Sequence, residues 1–219
     1  MHKGNAQNMK FETLIFDLDG TVSDPSEGII NCVNHGLSTG GFQAATPTAI
    51  RRLIGPPLTE IFEALTGETD EDKAIDFVIA YRERYAVSGY RENVIYPEVP
   101  AVIARLAMTG AKLGICTSKR ADYAEKIVDM FDLRHYFAFV DGGDIHVKKF
   151  TQLEKLVANG MDAAGAVMIG DRAVDIEAAR INDIASIGVS WGFGDKNEIA
   201  EANPDFIADR PEALLEILG

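Results

Sequence analysis

The sequence predicts an α/β protein: a Rossmann-like, doubly wound parallel sheet with a small, all-helical insertion after its first strand. Three observations predict it. Short apolar runs recur at Leu14-Ile15-Phe16, Leu113 to Cys116, Phe137 to Val140, Ala166 to Ile169 and Ile184 to Val189. Runs this short and this apolar read as buried strands. Helical patterns bounded by glycine stand between the later runs, and that alternation builds an open parallel sheet with helices on both faces. One stretch breaks it: from Thr48 to Tyr90 every pattern is helical.

Size and charge are compatible with this layout. The chain has 219 residues and a mass of 23.8 kDa, enough for one medium domain or one domain with a small insertion. Hydrophobic residues make up 47% and charged residues 25%, as in ordinary globular proteins. A formal net charge of −13 argues against a nucleic-acid partner, which needs a basic face. An anionic substrate stays open, because a bound cation and a few lysines can reverse the sign of one pocket. Cys32 and Cys116 lack metal-ligand spacing, so a reduced, cytoplasmic protein is expected. No apolar run approaches the ~18 residues of a membrane span. Met1 to Asn8 are polar and lack a signal-peptide core. Met9 reads as a native start, and residues 1–8 as a remnant or a frayed terminus.

In chain order, Leu14 to Phe16 is the first strand. Pro25 to about Thr39 is a helix, with Ile29, Ile30, Val33 and Leu37 at helical spacing and Gly40-Gly41 at its end. Three stripes follow: Ile50, Leu53 and Ile54; then Leu58, Ile61, Phe62 and Leu65, ended by Gly67; then Ile75, Val78, Ile79, Arg82 and Tyr85. Pro56-Pro57 separates the first two. The expected division is therefore a core of residues 9–22 and 94–219 with a helical insertion at 23–93. Beyond it, Val99, Val102, Ile103 and Leu106 mark a helix, as do Tyr123, Ile127, Met130 and Phe131, and Leu153, Leu156 and Val157. Ala173 to Arg180 is a short helix. A weaker strand at Phe206 to Ala208 and a helix at Glu212 to Leu218 close the chain.

In such sheets ligands bind outside the carboxyl ends of the strands. The residues after each strand are therefore the informative ones. After the first come Asp17 and Asp19, then Gly20 and Thr21; after the second come Thr117, Ser118 and Lys119. After Ala166 to Ile169 comes Gly170-Asp171-Arg172-Ala173-Val174-Asp175, and the loop from Asp141 to Phe150 carries Lys148 and Lys149. Each group alone has a plain explanation as a helix cap, a turn or a solvated charge. Together they fit phosphoryl transfer. Asp17 and Asp171 are hard oxygen ligands suited to Mg²⁺. Asp17 can attack phosphorus, and Asp19 can protonate the leaving alkoxide and then deprotonate water. The Thr117 hydroxyl, a loop lysine and backbone N–H groups after Asp17 can neutralise the phosphoryl oxygens. Asp175 can support the metal or the lysine.

These motifs make the chain resemble the haloacid dehalogenase superfamily, specifically its phosphoglycolate-phosphatase-like branch. The resemblance runs from about Phe11 to the C-terminus. It is carried by Phe16-Asp17-Leu18-Asp19-Gly20-Thr21, Thr117-Ser118-Lys119, the loop lysine and Gly170 to Asp175. Arg51 to Leu58 and Tyr96-Pro97 are also similar to that branch, and the insertion is similar in position to the family's helical cap. The resemblance implies Asp17 as nucleophile and Asp19 as general acid/base, with the Asp19 backbone carbonyl on the metal. It implies Asp171 as a Mg²⁺ ligand, Asp175 as its support, and Thr117 as a phosphoryl ligand. Ser118 and Gly20 join Thr117 as phosphate-binding candidates.

The family's lysine is often followed by proline, and here the loop reads His146-Val147-Lys148-Lys149-Phe150. Lys149 is preferred because Leu153, Leu156 and Val157 then face inward; Lys148 is the alternative. Arg51 and Arg52 are candidates for substrate choice. The expected function is a Mg²⁺-dependent phosphatase, monomer or homodimer, acting on a small phosphomonoester such as phosphoglycolate or a nucleoside 5′-monophosphate. The alternatives are a sugar phosphomutase and a non-catalytic phosphate-binding protein.

Overall fold

Thr13–Phe16 forms β1, and all four of its residues are buried. That burial follows from its place: β1 pairs in parallel with a strand on each side. In a computed structural model of the protein, residues 10–55, 57–143 and 147–219 are described. The expectations for Met1 to Asn8, Met9, Pro56 and His146 lie outside them. The described chain falls into two compact units, one of Ile95–Gly219 with the residues up to Ser23, the other Asp24–Val94. β2 (Ser23–Asp24) and β3 (Val94–Ile95) lie at the two boundaries. At two residues each they are too short to leave a periodic signal.

The first unit continues through α5 (Val99–Ala107), β4 (Lys112–Arg120), α6 (Ala121–Met130), β5 (Phe137–Gly143) and α7 (Lys149–Ala158). β6 (Ala166–Gly170), α8 (Ala173–Ile181), β7 (Ala185–Val189), α9 (Lys196–Ala202), β8 (Phe206–Ala208) and α10 (Ala213–Leu218) complete it. The sheet order is β5-β4-β1-β6-β7-β8, with every pairing between neighbours parallel. The chain builds outward from β1 to β4 and β5, then crosses to the other side of β1 for β6 to β8. The order therefore reverses at β1, and such a switch point opens a crevice at the strands' carboxyl ends.

Ile15 of β1 packs with Cys116, Leu153, Met168, Ala178 and Ala179, the layer that includes α7 and α8. Strand alternation turns Leu14 and Phe16 to the opposite layer, where the Phe16 ring meets Phe137 edge-on at 6.3 Å. Burying each large apolar side chain in these layers stabilises the fold by roughly 1.5–3 kcal/mol.

Within the second unit run α1 (Ser26–Thr39), α2 (Pro47–Arg51), α3 (Leu58–Thr66) and α4 (Glu71–Val87). α3 ends at Gly67 in the left-handed conformation, φ 71°. Gly36 of α1 lets the Phe77 ring of α4 approach closely, and a bidentate Arg84–Glu92 pair at 2.7–2.8 Å lies beside Asn31. The third sequence stripe needs correction. Phe77, Ala80, Tyr81 and Tyr85 are the buried face of α4, while Ile75, Ile79 and Arg82 are exposed. The aliphatic residues carry the period in the sequence, but the aromatics supply more apolar area and win the core. Among the described residues no helix is long and apolar enough to cross a membrane.

Candidate active site

The Asp17 N–H donates to the Ile169 carbonyl at 2.8 Å, extending the β1–β6 ladder by one residue. Asp17 thus stands at the carboxyl edge of β1, two residues beyond Ile15 and on the α7/α8 face. Lys149, the first residue of α7, and Asp175, in the first turn of α8, supply the adjoining groups. Lys149 Nζ lies 2.9 Å from Asp17 Oδ1 and is bonded to Asp175 Oδ1, and the lysine is only 2% exposed. Lys148 is exposed. Asp175 Oδ2 accepts the Arg172 N–H at 3.0 Å. Asp171, fully buried, accepts the Thr21 hydroxyl at 3.1 Å and the Phe193 N–H at 2.8 Å. One carboxylate oxygen each from Asp17, Asp171 and Asp175 lies within 4.8 Å of the others.

After Asp17 the chain turns sharply. The Val22 and Ser23 N–H groups donate to the Leu18 carbonyl, and Gly20 N–H donates to Ser23 O at 2.8 Å. Gly20 has φ +87°, and any Cβ there would collide with the Asp171 carboxylate. Gly20 therefore shapes the turn. Its N–H is engaged by the Ser23 carbonyl. Gly20→Ala should cost on the order of 1–2 kcal/mol from the left-handed backbone alone. A fall in melting temperature together with weakened Mg²⁺ binding would check it.

Asp19 leaves the straight line of β1 and pairs with Lys119 at 2.7 Å. β4 is longer than its apolar run. It continues to Arg120, so Thr117, Ser118 and Lys119 lie within the strand rather than after it. Arg120, not Thr117 or Ser118, is the residue preceding α6. Thr117 is buried, with its hydroxyl accepting the Lys119 N–H at 3.3 Å, and Ser118 is exposed. Arg51 and Arg52 belong to the second unit. There Arg51 pairs with Asp24 at 3.2 Å and Arg52 is exposed.

Residues 14–189 match the family model of haloacid dehalogenase-like hydrolases. The chain belongs to this family. A 5′-nucleotidase of Pseudomonas aeruginosa is 33% identical, over 96% of this chain and 96% of its own. A tyrosine-protein kinase of Mycobacterium tuberculosis is 28% identical over 95% of this chain and 72% of its own length. The crystal structure of a presumed phosphatase from Clostridium difficile superposes with a TM-score of 0.89 at 34% identity, covering 96% of this chain and 99% of that one.

In this hydrolase two features of the site go beyond the sequence expectations. Lys119 groups in sequence with Thr117 and Ser118, yet its partner Asp19 lies 100 positions away in the chain. The second is the loop between β7 and α9. Trp191 Nε1 donates to the Thr21 carbonyl at 3.1 Å, and Gly192 and Gly194 sit where a Cβ would strike Asp171. Glu198 of α9 then accepts from Arg172 Nε at 2.8 Å and the Ala173 N–H at 2.9 Å. The signal is Trp191-Gly192-Phe193-Gly194 shortly after an apolar strand, a strand-end position like those of Asp17 and Asp171.

The electrostatics of the cluster ask for a cation. Four carboxylates, Asp17, Asp19, Asp171 and Asp175, face two lysines, Lys119 and Lys149. Burial, then Asp17 and Asp175, push the Asp171 carboxyl up to about 7. Burial pushes Asp175 up to about 6 against the pull of Lys149. Burial likewise raises Asp19, with Lys119 opposing. For Lys149 burial disfavours the charge, but Asp17 and Asp175 outweigh it and hold the ammonium protonated. Asp19 Oδ1 is buried with no hydrogen-bond partner among the described residues. The donor set therefore fits a divalent cation with oxygen ligands. Asp17 and Asp171 each offer a carboxylate oxygen to such an ion. Asp175 binds Lys149 through Oδ1 and the Arg172 N–H through Oδ2, and Asp171 likewise accepts through both oxygens, from Thr21 and Phe193. The Cys116 thiol, pushed up to about 12 by burial, stays protonated and inert.

Proposed function

We propose that this hydrolase is a Mg²⁺-dependent phosphomonoesterase that works through a phosphorylated Asp17. The observation that carries the reading is the meeting of Asp17, Asp171 and Asp175 with the buried Lys149 at the sheet's switch point. A phosphoric monoester hydrolase is also what the family membership and the 33%-identical 5′-nucleotidase support.

Asp17 and Asp171, with the Asp19 backbone carbonyl, would hold Mg²⁺, which when bound neutralises phosphoryl charge and keeps the carboxylates ionised. A carboxylate oxygen of Asp17 attacks phosphorus, and the bond from phosphorus to the ester oxygen breaks. Asp19 gives its proton to that oxygen. Water then attacks the phosphoaspartate, Asp19 takes the water's proton, and Asp17 is restored as inorganic phosphate leaves. Lys149 and the Thr117 hydroxyl receive the phosphoryl oxygens, with Ser118 beside them. Lys119 holds the Asp19 carboxyl near the reacting group. Residues 23–93 serve as the substrate-selecting cap, with Arg51 and Arg52 as candidates for contacting the rest of the substrate.

For the substrate, a nucleoside 5′-monophosphate is favoured by the 5′-nucleotidase relative and phosphoglycolate by the sequence motifs. The test is phosphate release from a panel of both and of hexose phosphates, with Mg²⁺ and then with EDTA. Metal-dependent release with one preferred ester is expected. Absence of release from every ester overturns the reading. Label passing to an added protein instead of water would replace it with a phosphotransferase.

Metal binding should also depend on pH. Asp171 and Asp175 have folded-state values raised to about 7 and about 6 from 3.8. A raised carboxyl contributes stability below its unfolded value, and that stability is lost as pH rises through the folded value. The metal-free protein should therefore lose stability between about pH 4 and about pH 7, and Mg²⁺ should restore it by replacing the lost protons. The expected result is a larger Mg²⁺-induced rise in melting temperature at about pH 8 than at about pH 5. An equal rise at both would contradict it.

A further inference from the structure

We infer that Gln152 is a positioning residue that sets the phosphoryl-binding groups Lys149 and Thr117 at their working distance from Asp17. The inference rests on the phosphomonoesterase reading. Gln152 lies on α7, three residues after Lys149, and so shares its face of the helix. It is 3% exposed. Its Nε2 donates to the Thr117 carbonyl at 3.1 Å, and the Asp141 carbonyl and Oδ2 both lie 3.4 Å away. One side chain thus ties the carboxyl ends of β4 and β5 to the first turn of α7.

Other contacts hold that turn too, among them the ion pairs of Lys149 with Asp17 and Asp175 and the packing of Leu153 in the core. Lys148 precedes α7 without a side-chain cap. A second tie comes from Asn182 Nδ2, which donates to the Phe150 carbonyl at 2.9 Å. Lys149 reaches Asp17 on a flexible stem; Asp17 and Asp175 hold its ammonium, and the helix sets where its backbone starts. Thr117 is fixed from the other side, through the same amide.

The residue type supports a role beyond filling space. Gln152 Oε1 is buried and has no hydrogen-bond partner among the described residues. A buried amide with one end unsatisfied is less stable than an apolar side chain of similar volume. Leucine or methionine would serve packing better here, next to Leu153 and Leu156, but neither can donate to Thr117.

The experiment compares Gln152→Leu and Gln152→Met with the parent, using a substrate that the parent hydrolyses and inorganic phosphate as inhibitor. Both variants should stay folded, with the lost amide bonds offset in part by burial of an apolar side chain. Their kcat should fall about 10- to 100-fold, the scale expected when a positioned group shifts by a fraction of an ångström to an ångström. Inhibition by inorganic phosphate should weaken in parallel. A structural role alone would lower the melting temperature and leave phosphate inhibition of the folded protein unchanged. If kcat and phosphate inhibition stay within about twofold of the parent, the assignment is overturned while the phosphatase reading stands. If both variants fail to fold, Gln152 is a core residue and the assignment is overturned as well. A parent that neither releases phosphate nor is stabilised by phosphate with Mg²⁺ overturns both readings.

Discussion

Asp17→Asn should abolish turnover, lowering kcat by about 10⁴-fold or more, and leave the protein folded. An amide oxygen is a far weaker nucleophile than a carboxylate, and no neighbouring group replaces it. Asp19, the nearest carboxylate in sequence, turns away to Lys119. Cys116, beside Asp17 across the sheet, carries a protonated thiol. The fold should tolerate the change. The backbone bond from Asp17 N–H to Ile169 does not involve the side chain, and Lys149 keeps Asp175. Removing one of four clustered carboxylates also relieves repulsion. The check combines phosphate release, melting temperature and trapping of a phosphoaspartate. Activity within about tenfold of the parent would remove Asp17 from the chemistry.

Asp19→Asn should produce a loss that depends on the leaving group. With an alkyl phosphate, loss of the general acid should lower kcat by about 10²- to 10⁴-fold. With p-nitrophenyl phosphate the leaving oxygen needs no proton, so the first step should survive. Hydrolysis of the phosphoaspartate still needs a base and should become limiting. The expected trace is therefore a burst of about one p-nitrophenolate per active site, followed by slow turnover. Equal losses on both esters with no burst would show that Asp19 does not act as the acid. The Lys119 pair bears on the same experiment. Lys119 sits 2.7 Å from the Asp19 carboxylate, and its ammonium can donate equally to the amide oxygen of the variant, keeping that side chain near the same position.

The core's architecture was legible because buried parallel strands are short, apolar and bounded by glycine or charge. β1, β6, β7 and β8 fall within a residue of where the apolar runs place them. β4 and β5 run longer than expected, to Arg120 and Gly143, because their carboxyl ends carry polar residues that periodicity cannot claim for a strand. α9 left almost no pattern: it is seven residues long and buries only Ile199 and Ala202. The α4 face was misassigned because helical spacing admits two stripes on one helix, and only its neighbours choose between them.

What the sequence by itself determined is the chemical inventory and its place: carboxylates, hydroxyls and lysines after apolar strands, hence at one edge of a parallel sheet. Side-chain alternation and the carboxyl-end rule follow from backbone geometry, so they can be read without coordinates. Only the tertiary structure decided which of these groups meet. It buried Lys149 and exposed Lys148, spent the Gly20 N–H on Ser23, paired Asp19 with Lys119, and brought the Trp191 loop against Asp171. Those choices depend on strand register and on where a helix begins to within one residue. A one-residue shift turns a side chain by about 100° on a helix and to the opposite face on a strand.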